Sequence, residues 1–177
     1  MDLAGQPVLA HVIARLAPQT SGLVLNGNGD PARFAQFGLP VIADAREFAG
    51  AGPLAGILAG LDHAAGLGQS HVAFVPCDAP FLPLNLVDIL AAADGPAHIR
   101  CAEGPRGLEP LFALWPVALN SGLRHLLRTG IRKVQHALGA LPCHHVAFAL
   151  RPGVPDPFLN LNRPEDAQGA HAKLTQD

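Results

Sequence analysis

Four apolar residues, Val72-Ala73-Phe74-Val75, run straight into Pro76-Cys77-Asp78-Ala79-Pro80. A run this short, stopped by proline and a carboxylate, leaves the chain few ways to fold. It reads as a buried parallel strand, because helices cover both faces of such a strand and its residues are continuously apolar. The acid then stands at the strand's carboxyl end, the edge of an open α/β sheet where ligands bind. A carboxylate there can hold a hard cation such as Mg²⁺, which binds through one or two carboxylates plus substrate phosphates. Asp is also common at helix N-caps and in turns, so the local pattern leaves both readings open.

Two further runs repeat the arrangement. Gly22-Leu23-Val24-Leu25 ends at Asn26, and Leu39-Pro40-Val41-Ile42-Ala43 ends at Asp44. One such ending is turn chemistry. Three in the first half of the chain point to a common edge lined with donors and acceptors. The competing reading is that Asn26 and Asp44 only begin loops, as Asn28, Gly29 and Asp30 do by their turn-forming types.

Between these runs lie segments of helical period. Residues 7–16 put Val8, Leu9, Val12, Ile13 and Leu16 on one face, with Pro7 in the first turn. Helices are also expected at 31–37, 53–65, 84–93, 117–127 and 131–138, with a last one from Pro164. Strands are expected at 23–25, 41–43, 72–75, 97–101 and 145–150, with 111–114 as the candidate antiparallel member. Strands alternating with helices predict a three-layer α/β, Rossmann-like fold with a mostly parallel sheet. No repeat or internal boundary interrupts residues 1–177, so one domain is expected.

Composition narrows the function classes. At 49% hydrophobic and 15% charged, the chain can bury a sizeable core. A net charge of −2 gives no electrostatic case for nucleic acid or an anionic membrane, so a phosphate ligand would have to be held locally. No apolar run is long enough to span a bilayer, and Met1-Asp2-Leu3 begins without the basic segment of a signal peptide. Cys77, Cys101 and Cys143 are odd in number and widely spaced, which suits a reducing cytoplasm. Cys143-His144-His145 lacks the partnered spacing of a zinc site. Arg100, Arg106, Arg124, Arg128, Arg132 and Lys133 read mostly as solvated faces. Gly52-Pro53 opens a helix whose free amides can approach an anion, although proline at a first helical position also has a plain structural reason. Asn160 and Asn162 alternate with Leu159 and Leu161, so an extended backbone would aim both amides the same way; alternatively Asn162 or Arg163 caps the helix at Pro164.

Taken in order, GLVLN, FGLPVIAD, AGPLAGILAGL, FVPCDAPFLP, EPLFALW, GIRKVQ and FLNLNRPED resemble the molybdenum cofactor guanylyltransferases. The likeness covers almost the whole chain. Its most specific pieces are Gly52-Pro53-Leu54-Ala55-Gly56, Pro76-Cys77-Asp78-Ala79-Pro80 and Asn160-Leu161-Asn162-Arg163-Pro164-Glu165. The resemblance implies a nucleotidyltransferase fold and a GTP- and Mg²⁺-dependent enzyme. Such an enzyme joins GMP to the phosphate of the molybdenum-bound pterin and releases pyrophosphate. It implies that Asn26 and Asp44 contact the guanine nucleotide, that Asp78 contacts its Mg²⁺, and that Asn160 and Asn162 lie toward the pterin, the molybdopterin-type cofactor. Contact with other cofactor-assembly proteins or recipient molybdoenzymes is a further implied partnership. A cytidylyl-transferring relative is the near alternative; those carry a Gly-Met-Ser-Ser-like segment where this chain has Gly52-Pro53-Leu54-Ala55.

The chain departs from that family at its start. The family opens with a strand and a loop of the form L-A-G-G-x-S-x-R-M-G, followed by a lysine, and Met1 to Pro7 aligns just past that lysine. The expectation is of a domain incomplete at its N-terminus by roughly 20 to 30 residues, one strand-loop unit. A misplaced start, a truncated gene or a non-catalytic remnant would each account for it. The absent strand would be central, leaving a slot between the strands at 23–25 and 72–75. Arg163 stands where threonine is more usual, which bears on how the last helix is capped.

Overall fold

The computed structural model describes residues 1–95, 97–149, 156–161, 163 and 166. A small antiparallel hairpin, β1 (Asp2–Leu3) with β2 (Gln6–Pro7), leads into α1 (Val8–Leu16). Pro7 sits at the α1 N-cap with extended backbone, where its missing N–H costs nothing. Next come β3 (Leu25–Asn26), a 3₁₀ segment Pro31–Phe37, β4 (Val41–Ile42) and a 3₁₀ turn Arg46–Phe48. Helix α2 (Pro53–Gly66) leads to β5 (His71–Phe74) and α3 (Leu86–Ala92). The second half holds β6 (Ile99–Gly104), β7 (Gly107–Pro116), α4 (Asn120–Arg128), α5 (Val134–Ala140) and β8 (Cys143–Ala147). The helix expected from Pro164 lies outside the described residues. At its border, the Asp166 carboxylate accepts from the Arg163 N–H at 2.9 Å.

The strands form two sheets besides the hairpin. β3 and β4 pair in parallel, with Leu25 opposite Val41 and Asn26 opposite Ile42. The larger sheet has the order β5-β7-β6-β8. β7 runs against both neighbours, while β6 and β8 are parallel, so three of the four strands share one direction. That bears out a mostly parallel sheet with an antiparallel member at 111–114. It also corrects one expectation. The Val72 strand is not flanked by parallel partners. Among the described residues it pairs with β7 alone, antiparallel, and is only half-buried, because its other edge faces a cavity of about 580 Å³ between β3 and β5.

β7 divides the core. Ala113 and Trp115 pack with Leu54, Leu58, Leu61, Leu123 and Leu127 on the face covered by α2, α4 and α5. Phe112 and Leu114 pack with Leu82, Leu86, Leu90 and Phe158 on the face covered by α1 and α3. The period-two alternation of a strand thus builds both layers from one segment. Each fully buried large side chain contributes roughly 1.5–3 kcal/mol relative to exposure. These terms outweigh the half-exposed ion pairs of Arg124 with Glu47 and Asp62, which tie α4 to α2 and the 46–48 turn.

Helix α2 crosses the gap between the sheets. Its Gly56 lies against the Asn26 amide of β3, and a Cβ at Gly60 would sit 2.7 Å from the Phe74 ring of β5. Both close approaches require glycine. We expect Gly60→Ala to destabilise the protein by about 1–3 kcal/mol, the usual cost of overpacking. Gly66→Ala, at the open end of the same helix, should be neutral or stabilising, since no heavy atom lies within 4 Å. Urea unfolding of the two variants checks this; equal effects would show that the close approach is not what sets the helix.

Candidate functional site

The parallel register of β3 and β4 brings their exits together. The Asn26 amide nitrogen donates to Asp44 Oδ1 at 3.0 Å and, more weakly, to the Ile42 carbonyl at 3.3 Å. The Asn28 amide nitrogen donates to Asp44 Oδ2 at 2.8 Å, and Asn28 Oδ1 accepts the Asp44 backbone N–H at 3.0 Å. Asp44 therefore has an amide on each carboxylate oxygen. Gly27, between the two asparagines, donates its N–H to the Ile42 carbonyl at 2.9 Å, and a Cβ there would lie 2.8 Å from the Phe34 ring. The loop is thus pinned between β4 and Phe34.

Asn28 is the residue that sequence reasoning set aside as a turn former. Its signal was available: Asn26 and Asn28 alternate across Gly27 as Asn160 and Asn162 alternate across Leu161, and alternate residues of extended backbone share a side. Asp30, by contrast, caps the Pro31–Phe37 segment, its carboxylate accepting the Ala32 N–H at 2.9 Å.

Asp78 stands four residues past β5, in a turn, and is half-buried. It lines a cavity of about 490 Å³ together with Asp2, Arg33, Phe34 and Cys77. Cys77 and Leu9 also line the larger cavity, whose wall includes Asn26. Asn26 and Asp78 are thus set around neighbouring spaces. Burial pushes the Asp78 carboxyl above the usual aspartate range, and its own backbone N–H pulls the other way. Arg33 is a cation of this cavity that sequence reasoning did not single out; its guanidinium lies 5.9 Å from the Phe34 ring centre.

The later asparagine segment reaches the same place. The Leu161 N–H donates to the Asp78 carbonyl at 2.8 Å, which sets Asn160 beside the Asp78 turn. Asn160 Oδ1 is buried with no hydrogen-bond partner among the described residues. Asn162 lies outside the described residues. Other basic residues are spent elsewhere: Arg106 on Glu109 and Asp156, Arg124 and Arg128 on Glu47, and Arg132 on carbonyls of Leu127 and Ile131. Among the described residues no group of three or more His, Cys, Asp or Glu could hold a metal by itself. A single half-buried carboxylate such as Asp78 still suits Mg²⁺, which takes most of its ligands from water and phosphate. No described helix is long and apolar enough to cross a membrane.

A protein-family model described as "MobA-like NTP transferase domain" matches residues 1–169. A Rhodopseudomonas palustris protein named molybdenum cofactor guanylyltransferase is 45% identical over 99% of this chain and 85% of its own length. A Bradyrhizobium protein of the same name is 47% identical over 93% of this chain and 78% of its own. Among solved structures, molybdopterin-guanine dinucleotide biosynthesis protein A from Archaeoglobus fulgidus superposes with a TM-score of 0.74 at 22% identity, covering 100% of this chain and 90% of its own. A 4-diphosphocytidyl-2C-methyl-D-erythritol synthase superposes with a TM-score of 0.72 at 14% identity, covering 98% and 91%; at these identities the likeness is one of fold.

The raised Asp78 carboxyl gives a signed prediction. A carboxyl whose folded pKa lies above its unfolded value favours the fold fully below the unfolded value, and that contribution is lost as pH rises through the folded one. Asp78→Asn should therefore melt at or above the wild-type temperature at pH 7. The difference should disappear below the ordinary aspartate pKa. A variant that melts lower at pH 7 would show that the Asp78 charge supports the fold.

Proposed function

We propose that this chain, which belongs to the MobA-like NTP transferase family, transfers GMP from GTP to the phosphate of the molybdenum-bound pterin and releases pyrophosphate. The observation that carries the reading is the Asp44 carboxylate held by two asparagine amides at the β3–β4 exit. A fixed carboxylate is a two-acceptor edge, and guanine offers it two donors, N1–H and the N2 amino group. Cytosine and adenine do not offer that pair. The names carried by relatives at 45% and 47% identity support the same substrate.

The chemistry asks the protein to position more than to react. An oxygen of the pterin phosphate attacks the α-phosphorus of GTP, a new P–O bond forms, and the bond from the α-phosphorus to pyrophosphate breaks. No protein nucleophile is required. Asp78 would hold Mg²⁺, which when bound supplies charge stabilisation at the phosphates during in-line displacement. The first turn of α2, opened by Gly52 at φ 74°, has no side-chain cap, and a helix N-terminus of this kind suits a phosphate. Among the described residues Asn160 Oδ1 has no donor, and a pterin ring carries N–H groups that would satisfy it. The three free cysteines accord with a cytoplasmic setting.

Guanylyl transfer to the pterin cofactor, followed by pyrophosphate release, tests the proposal. Asp78→Asn should lower kcat/KM by about 10²–10³-fold, the range seen when one electrostatic contact to developing charge is lost. GTP should outcompete CTP and ATP. An Asp78→Asn variant with wild-type turnover would remove Asp78 from the site, and CTP used as well as GTP would move the chain to the cytidylyl relatives.

A further inference from the structure

We propose that Asn28 is a positioning residue for guanine selection, acting through Asp44; this rests on the guanine-site reading above. Asn28 bonds Asp44 twice. Its amide nitrogen holds Oδ2 at 2.8 Å while its carbonyl oxygen receives the Asp44 backbone N–H at 3.0 Å. The two bonds close a ring that couples the Asp44 carboxylate to its own main chain. Asn26 takes the other oxygen, Oδ1, at 3.0 Å. With both oxygens anchored, the carboxylate plane cannot turn about its last bond.

That restraint matters for selectivity more than for adhesion. An ionised carboxylate has about four acceptor sites, and two amides occupy two of them, one on each oxygen. One site per oxygen remains, so the group is pre-set to receive two parallel N–H donors. A freely turning carboxylate would still find one donor but would seldom meet two at once. Asn28 therefore acts on the second hydrogen bond, the one that separates guanine from a base lacking the N2 amino group.

The loop is built to hold Asn28 in place. Gly27 permits the Phe34 ring to lie directly against the backbone between the two asparagines, and the Gly27 N–H is tied to β4 through Ile42. Asparagine is the side chain the site requires at 28, since the contact uses its N–H as donor and its oxygen as acceptor. Aspartate of nearly the same shape could accept the backbone N–H but would set a second negative charge against Asp44 with no donor to offer. Asn28 is exposed, so its replacement leaves the core untouched.

The experiment compares GTP with ITP, whose hypoxanthine base lacks only the N2 amino group. Transfer kinetics and equilibrium affinity are measured for the wild type, Asn28→Ala, Asn28→Asp, Asp44→Ala and the Asn28→Ala/Asp44→Ala pair, with thermal unfolding as the check on folding. Asn28→Ala should raise KM for GTP roughly tenfold, the worth of one hydrogen bond to a charged group. ITP should be little affected and kcat should stay within about twofold. Asn28→Asp should lose more GTP affinity than Asn28→Ala. The double variant should be no worse than Asp44→Ala, because both changes remove one interaction. Equal losses for GTP and ITP, or an additive double variant, would overturn the proposal by making Asn28 a general loop support. A wild type indifferent to the N2 amino group, with Asp44→Ala equally indifferent, would overturn it together with the guanine-site reading; a selective wild type whose Asn28 variants stay selective would overturn it alone.

Discussion

The close approach of helix α2 to two strands at once is the contact on which the rest of this structure depends. Gly56 meets the Asn26 amide on β3, and Gly60, one turn later, meets the Phe74 ring on β5. The strands belong to different sheets with a cavity between them. Among the described residues neither sheet pairs with the other, so their relative placement falls to the helix that lies across both. A side chain at either glycine would lift α2 away. The same two contacts set the spacing between Asn26 and the Asp78 turn that follows β5.

Within each sheet the restraints differ in kind. The larger sheet is secured by apolar burial on both faces of β7, where Trp115 and Phe112 are fully enclosed. The smaller has only four residues in strands and rests on hydrogen bonds among Asn26, Asn28, Asp44 and the Ile42 carbonyl. Each such exposed bond contributes about 0.5–1.5 kcal/mol, somewhat more where the carboxylate charge takes part. The polar cluster therefore serves geometry more than stability. Asp78 is the opposite case, a carboxylate whose burial works against its ionised form and which the fold tolerates at the edge of a cavity.

Much of this was legible in the residues. The apolar runs ending at Asn26, Asp44 and Asp78 gave the sheet edge, because strand length and turn chemistry are local properties. The helices at Val8–Leu16 and Pro53–Gly66 followed from period and proline placement. What was not legible depended on pairing. The antiparallel contact of β5 with β7 joins residues 71 and 116, and nothing in Val72-Ala73-Phe74-Val75 distinguishes one kind of neighbour from another. Asn28 was passed over because an asparagine before Gly29 is ordinary turn chemistry, and its bond to Asp44 spans sixteen residues. Arg33 was missed because a single arginine in a 3₁₀ segment carries no pattern.

The division into two sheets has a consequence for motion. Regions with few buried apolar contacts open at lower free energy than the core, in contiguous cooperative units. The β3–β4 pair, with Leu25 as its one buried strand residue, forms such a unit, and the β5-β7-β6-β8 sheet forms another. Amide exchange from residues 25–44 should accordingly be uncoupled from exchange at Phe112 to Trp115. A base bound at Asp44 would slow exchange in the first unit and leave the second unchanged, so the ordering of the recognition loop and the permanence of the core are separately measurable properties of one small protein.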